Sequence, residues 1–121
     1  MKIIALCGVG AEPLRVLERI DGLRLLRFDD QPDCLGSVAL ARRLRDDLRV
    51  DWAVVGYCSA IGLAACDQLA AQPGAPPIVW LCDREEFLPE AARLGVRLGR
   101  SDGASLPEII GGEHSWNIPL P

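Results

Sequence analysis

Lysine is almost missing from this chain: Lys2 is the only one, and arginine carries the rest of the positive charge. The single histidine, His114, lies near the C-terminal end. Zinc-type ligation would therefore fall to cysteine, but the five cysteines contain no Cys-x-x-Cys pair, so no metal site is expected. An odd number of thiols without paired spacing fits reduced cysteines in a reducing compartment. No apolar run approaches the ~20 residues that a membrane-spanning helix needs. The opening run Met1–Cys7 is too short for a secretion signal and lacks a small-residue cleavage site. The expectation is a cytoplasmic protein without membrane contact.

A net charge of −4 gives no electrostatic reason for direct nucleic-acid binding. The one basic run, Arg42, Arg43 and Arg45, is followed at once by Asp46 and Asp47 and reads as a solvated helix face. With 121 residues, half of them hydrophobic and a quarter charged, the chain has the composition of one ordinary globular domain.

Apolar runs of strand length alternate with segments of helical period. Ile3 to Cys7 is continuously apolar, as suits a strand covered on both faces. Glu12-Pro13 opens a helix with Leu14, Leu17 and Ile20 as its stripe, and Leu23 to Phe28 reads as a second strand. Pro32-Asp33 starts a second helix with Asp33 as N-cap; Leu35, Val38, Ala41, Leu44 and Leu48 mark its buried face. Trp52 to Tyr57 is a third strand, and Ile61, Ala65 and Leu69 face inward from the next helix. Ile78 to Cys82 is a fourth strand, Phe87, Ala91 and Leu94 mark a fourth helix capped by Gly95, and Val96 to Leu98 makes a short fifth strand. Leu106 to Ile110 has room for one or two turns before Gly111-Gly112 and the prolines of the tail. Five βα units with two-sided strands imply an α/β fold with a doubly wound parallel sheet. The α/β domain is expected over 1–103, and 104–121 as an irregular segment packed on it or extending from it. Ligands of such sheets bind beyond the carboxyl ends of the strands.

Those strand ends carry a resemblance. Ile4-Ala-Leu-Cys7, Pro13-Leu-Arg-Val-Leu17, the strand around Gly56, and Pro77 to Val96 with its acidic-aromatic turn are together similar to response-regulator receiver domains. The likeness is greatest to receivers that regulate through LytTR-type DNA-binding domains, and it covers about residues 2–100. It implies a flavodoxin-like, five-stranded (βα)5 architecture; the family's last helix is expected to be shortened or irregular here, since residues 104–110 are too few for it and Gly111, Gly112, Pro119 and Pro121 oppose extension. It also implies positions for phosphorylation chemistry, and the family's residues are absent from them. The acidic pair that holds Mg²⁺ falls on Gly8 and Val9, and the phosphoacceptor aspartate falls on Gly56, beside Val55, Tyr57, Cys58 and Ser59. The switch Thr or Ser falls on Cys82, the lysine near Ser101 or Asp102, and the fifth-strand aromatic on Leu98. A carboxylate forms an acyl phosphate as a nucleophile held in line by the metal; glycine has no side chain to offer.

Two rival chemistries remain open. Cys7-Gly-Val-Gly10, after a strand and before a helix, looks like the phosphocysteine loop of phosphotransferase-system B-components. Glu12 and Pro13 oppose that reading by adding negative charge and removing an amide donor, and a buried strand-end cysteine is preferred. As a dinucleotide fingerprint Gly8-Val-Gly10 is weaker still, because Pro13 stands in place of the third glycine. Cys7, Cys58 and Cys82 follow three strands that neighbour each other in the receiver topology, a possible thiol edge for small-molecule, metal or redox sensing. Tyr57 is expected to pack, Trp52 and Trp80 are core or interface candidates, and Trp116 is the aromatic expected at a contact surface or folded back on the domain. The functional expectation is a phosphorylation-independent pseudo-receiver: not an enzyme, without cofactor, binding another protein or a second copy of itself.

Overall fold

Strands that are apolar at every position need cover on both faces, and every residue of the third and fourth strands is buried. The computed structural model describes residues 1–116. Its elements run β1 (Lys2–Cys7), α1 (Ala11–Glu18), β2 (Leu23–Phe28), α2 (Gly36–Arg45), β3 (Trp52–Val55) and α3 (Ala60–Ala70). Then come β4 (Ile78–Leu81), a 3₁₀ turn at Glu85–Phe87 leading into α4 (Leu88–Leu94), β5 (Arg97–Gly99) and α5 (Leu106–Trp116). All strand pairs are parallel, in the order β2-β1-β3-β4-β5. This is the expected α/β architecture, a flavodoxin-like doubly wound sheet. No helix among the described residues is long and apolar enough to cross a membrane.

Period-two alternation along the strands divides the core into two layers. Ala5, Cys7, Ala53, Val55, Ile78 and Trp80 pack against Leu40, Ala41 and Leu44 of α2, Ala65, Cys66 and Leu69 of α3, and Ala91 of α4. Ile4, Leu6, Val54, Val79 and Leu81 pack against Leu17 of α1 and Leu106, Ile109 and Ile110 of α5. Trp52 and Trp80 are both core residues, 4% and 0% exposed.

Four local readings are corrected. α2 begins at Gly36, not at Asp33; the loop before it is closed by paired backbone bonds between Gln31 and Cys34, and Asp30 Oδ1 accepts the Gly36 N–H at 2.8 Å. The start is set by close packing, since a β-carbon on Gly36 would meet the Phe28 carbonyl oxygen at 1.7 Å. The buried face of α2 is Gly36, Ser37, Leu40, Ala41 and Leu44, while Leu35 is exposed. In α3 the inward face is Gly62, Ala65, Cys66 and Leu69, and Ile61 is 53% exposed. α2 also stops short of Leu48: Asp47 takes a left-handed φ of 74°, with Leu48 N–H bonded to Arg43 O (2.9 Å) and Asp47 N–H to Leu44 O (3.3 Å). α4 ends in the same way on Gly95, as expected.

The last helix is longer than its sequence suggests. α5 spans Leu106–Trp116 and continues through Gly111-Gly112, so the segment after residue 103 is not irregular throughout. A helical glycine costs only about 1 kcal/mol against alanine, and burial of Leu106, Ile109 and Ile110 outweighs it. Lys2 Nζ donates to the Ile110 carbonyl at 2.9 Å and ties the helix to the start of β1. The Trp116 side chain and residues 117–121 lie outside the described part.

A β-carbon on Gly111 meets nothing within 4 Å. Gly111→Ala should therefore stabilise the protein by about 0.5–1 kcal/mol in urea denaturation, through loss of unfolded-state entropy. Leu17→Ala, at a fully buried site, should cost about 2–5 kcal/mol in the same assay.

Candidate functional site

The carboxyl ends of β1, β3 and β4 face the loops that carry the resemblance, and the first loop turns on glycine. Gly8 has φ +60°, the left-handed region that favours glycine. The Tyr57 ring lies directly over it: a β-carbon at Gly8 would come 2.2 Å from Tyr57 Cε1. Gly56 donates its N–H to the Cys7 carbonyl at 2.9 Å. A β-carbon there would meet the Gly8 carbonyl oxygen at 2.4 Å and Val9 Cα at 2.9 Å. The position that the resemblance assigns to the phosphoacceptor is thus closed by backbone as well as lacking a carboxylate.

Tyr57 is held from three sides. Its hydroxyl donates to Asp30 Oδ1 at 2.5 Å, the same oxygen that accepts the Gly36 N–H. Its carbonyl accepts the Trp80 indole N–H at 2.6 Å. Trp80 reaches that carbonyl because residue 62 is glycine; a β-carbon there would lie 1.9 Å from Tyr57 O. Burial, then the hydrogen bond to Asp30, push the Tyr57 phenol up to about 12, while the Ser37 backbone and hydroxyl pull the other way.

The cysteines separate by depth. Cys7 is fully buried, and burial, then the charge of Asp30, push its thiol up to about 12. Cys58 and Cys82 bring their sulfurs within 2.7 Å of each other across the ends of β3 and β4. Cys82 is 3% exposed and burial raises its thiol to about 11. Cys66 of α3 joins this group from below: it is buried, raised to about 12 by burial and then by the charge of Cys82, and it acts in turn on Cys7. Among the described residues, no group of three or more His, Cys, Asp or Glu side chains is placed to hold a metal ion.

At the far end, Ser101 gives its N–H to Asp83 Oδ1 at 3.0 Å and its hydroxyl to Asp83 Oδ2. Those bonds hold the Asp83 carboxyl below its ordinary value. Asp102 is occupied locally, accepting the Ala104 N–H at 2.9 Å. A cleft of about 210 Å³ opens beside this pair, lined by Cys82, Asp83, Leu88, Leu98 and Arg100. The structure therefore brings Gly8, Val9, Gly56 and Tyr57 into one contact and Cys58 and Cys82 into another, with Ser101 at the edge. Asp30, Ser37, Cys66, Trp80 and Asp83 complete the site without having been singled out for it. Asp30 and Asp83 each stand just past a strand end, which is the signal that marks them.

Compared with known proteins, the chain matches no family model, no curated protein and no solved structure.

Tyr57 is the only tyrosine, so the near-ultraviolet phenolate band reports it alone. Its titration midpoint should lie at about 12 instead of the ordinary 10. Because the folded value exceeds the unfolded one, the Tyr57 contribution to stability is complete below pH 10 and is lost as pH rises through about 12. Tyr57→Phe should remove that pH dependence; a wild-type midpoint near 10 would show the phenol to be solvated.

Proposed function

We propose that this chain is a phosphorylation-independent, receiver-like signalling module that works by binding another protein or a second copy of itself. The parallel sheet in the order β2-β1-β3-β4-β5 is the frame such a module needs. The observation that carries the reading is the closed acceptor position: Gly56 is packed against the Gly8 carbonyl and Val9, with Tyr57 folded over Gly8. A receiver normally uses phosphate to bias a two-state equilibrium through a hydroxyl residue and a fifth-strand aromatic. Here Cys82 and Leu98 stand at those positions. Trigger and switch are both replaced, and the hydrogen bonds of Tyr57 favour a single arrangement of the loops.

The phosphocysteine-carrier alternative draws no support from the geometry. A carrier thiolate must meet its phosphoryl donor, whereas Cys7 is fully buried with its thiol pushed up to about 12. The direct test is native mass spectrometry before and after incubation with acetyl phosphate and Mg²⁺. The expected result is an unchanged mass and one clear oligomeric state. Gly56→Asp should also gain nothing, because its β-carbon collides with the Gly8 carbonyl. A gain of one phosphoryl group by the wild-type protein would overturn the proposal.

A further inference from the structure

We propose that Cys58 and Cys82 are a peroxide-responsive dithiol, which a hydroperoxide oxidises to a disulfide joining the β3–α3 loop to the end of β4. The two sulfurs already lie 2.7 Å apart, closer than two unbonded thiols normally approach. A disulfide at ~2.05 Å requires an approach of only about 0.7 Å. The loop is held for that closure in the reduced state, since Trp80 on β4 donates to the carbonyl of Tyr57, the residue just before Cys58.

The pair is also asymmetric in the way such chemistry needs. Cys58 is partly exposed and open to a small oxidant, whereas Cys82 is 3% exposed behind it. The Arg84 guanidinium lies within electrostatic reach of both sulfurs while paired with Glu86 at 2.9 Å. The Arg84 backbone N–H also bonds to Cys82. Cys7 and Cys66 are fully buried and shielded from the oxidant.

The steps balance as follows. The Cys58 sulfur attacks one peroxide oxygen, the O–O bond breaks, and Cys58 becomes a sulfenic acid while its thiol proton passes to the departing oxygen, which leaves as water or an alcohol. Cys82 sulfur then attacks Cys58 sulfur, the S–O bond breaks, and the hydroxyl leaves as water with the Cys82 proton. Two electrons pass from the thiols to the peroxide, and a dithiol reductant reverses the change.

The test uses hydrogen peroxide on a Cys34→Ser protein, which removes the remaining partly exposed thiol outside the pair. The intact mass should fall by two hydrogens and the free-thiol count by two, both restored by dithiothreitol. Trypsin has no site between Arg49 and Arg84, so chymotrypsin is the protease of choice. It should release Cys58–Leu63 linked to Cys82–Phe87, distinct from the peptide that carries Cys66. Cys82→Ser should instead accumulate a dimedone-reactive sulfenic acid at Cys58, and Cys58→Ser should lose the linked product. Retention of both thiols, direct over-oxidation of Cys58, or a Cys66–Cys82 link would each overturn the proposal without bearing on phosphate acceptance.

Discussion

Gly8 and Gly56 approach so closely that a β-carbon on Gly56 would sit 2.4 Å from the Gly8 carbonyl oxygen, and the whole carboxyl edge of the sheet is arranged around that contact. Two backbones meet only where neither residue brings a side chain between them. With the loops after β1 and β3 in contact, the Tyr57 ring has one place to go, over Gly8. Its hydroxyl then finds Asp30, and Asp30 in turn receives the first amide of α2. One steric allowance thus couples three βα loops.

The same economy of volume shapes the layer beneath. The layer between the sheet and α2, α3 and α4 is rich in small residues, Ala5, Cys7 and Ala53 on the strands and Ala41, Ala65 and Cys66 on the helices, with Trp80 as its largest fully buried side chain. Trp80 is fully buried and its indole N–H is satisfied by the Tyr57 carbonyl, as a buried indole requires. Phe87 completes the stack with its ring centroid 5.1 Å from that of Trp80, and Arg84 lies 4.9 Å over Phe87. Small residues bring the helices close, and cysteine serves as a small apolar residue in two of those places. At the rim, where Cys58 meets Cys82, the environment changes from sealed to partly open, and sulfur that is inert in the interior gains a partner and an approach route.

Much of the fold was legible in the chain because its strands are covered on both faces. Ile3–Cys7, Trp52–Tyr57 and Ile78–Cys82 read as strands whichever way their side chains point, although β3 ends at Val55 and β4 at Leu81, and Gly95 announced the end of α4. The helix faces were less legible. Leu35 and Ile61 look like core residues, yet Gly36 and Gly62 take the inward positions because neighbouring backbone and Trp80 demand close contact there. Glycine leaves no mark in a hydrophobic pattern, so a face set by glycine is misread by one residue. α5 shows the converse: Gly111-Gly112 looks like a stop, but packing of Leu106, Ile109 and Ile110 carries the helix onward. At the site, the places of Gly8, Val9, Gly56, Cys82 and Ser101 followed from their positions after strands. The parts played by Asp30, Ser37 and Cys66 did not, since each depends on a partner distant in sequence.

The sequence by itself determined the alternation of strands and helices and the absence of a carboxylate at residue 56, because both are local properties of residue type and order. Only the tertiary structure decided that residue 56 faces the Gly8 carbonyl, that Tyr57 covers the site, and that two of the five cysteines meet at the rim. These are facts about separations of a few ångströms between segments tens of residues apart, and sheet order together with helix packing fixes such separations.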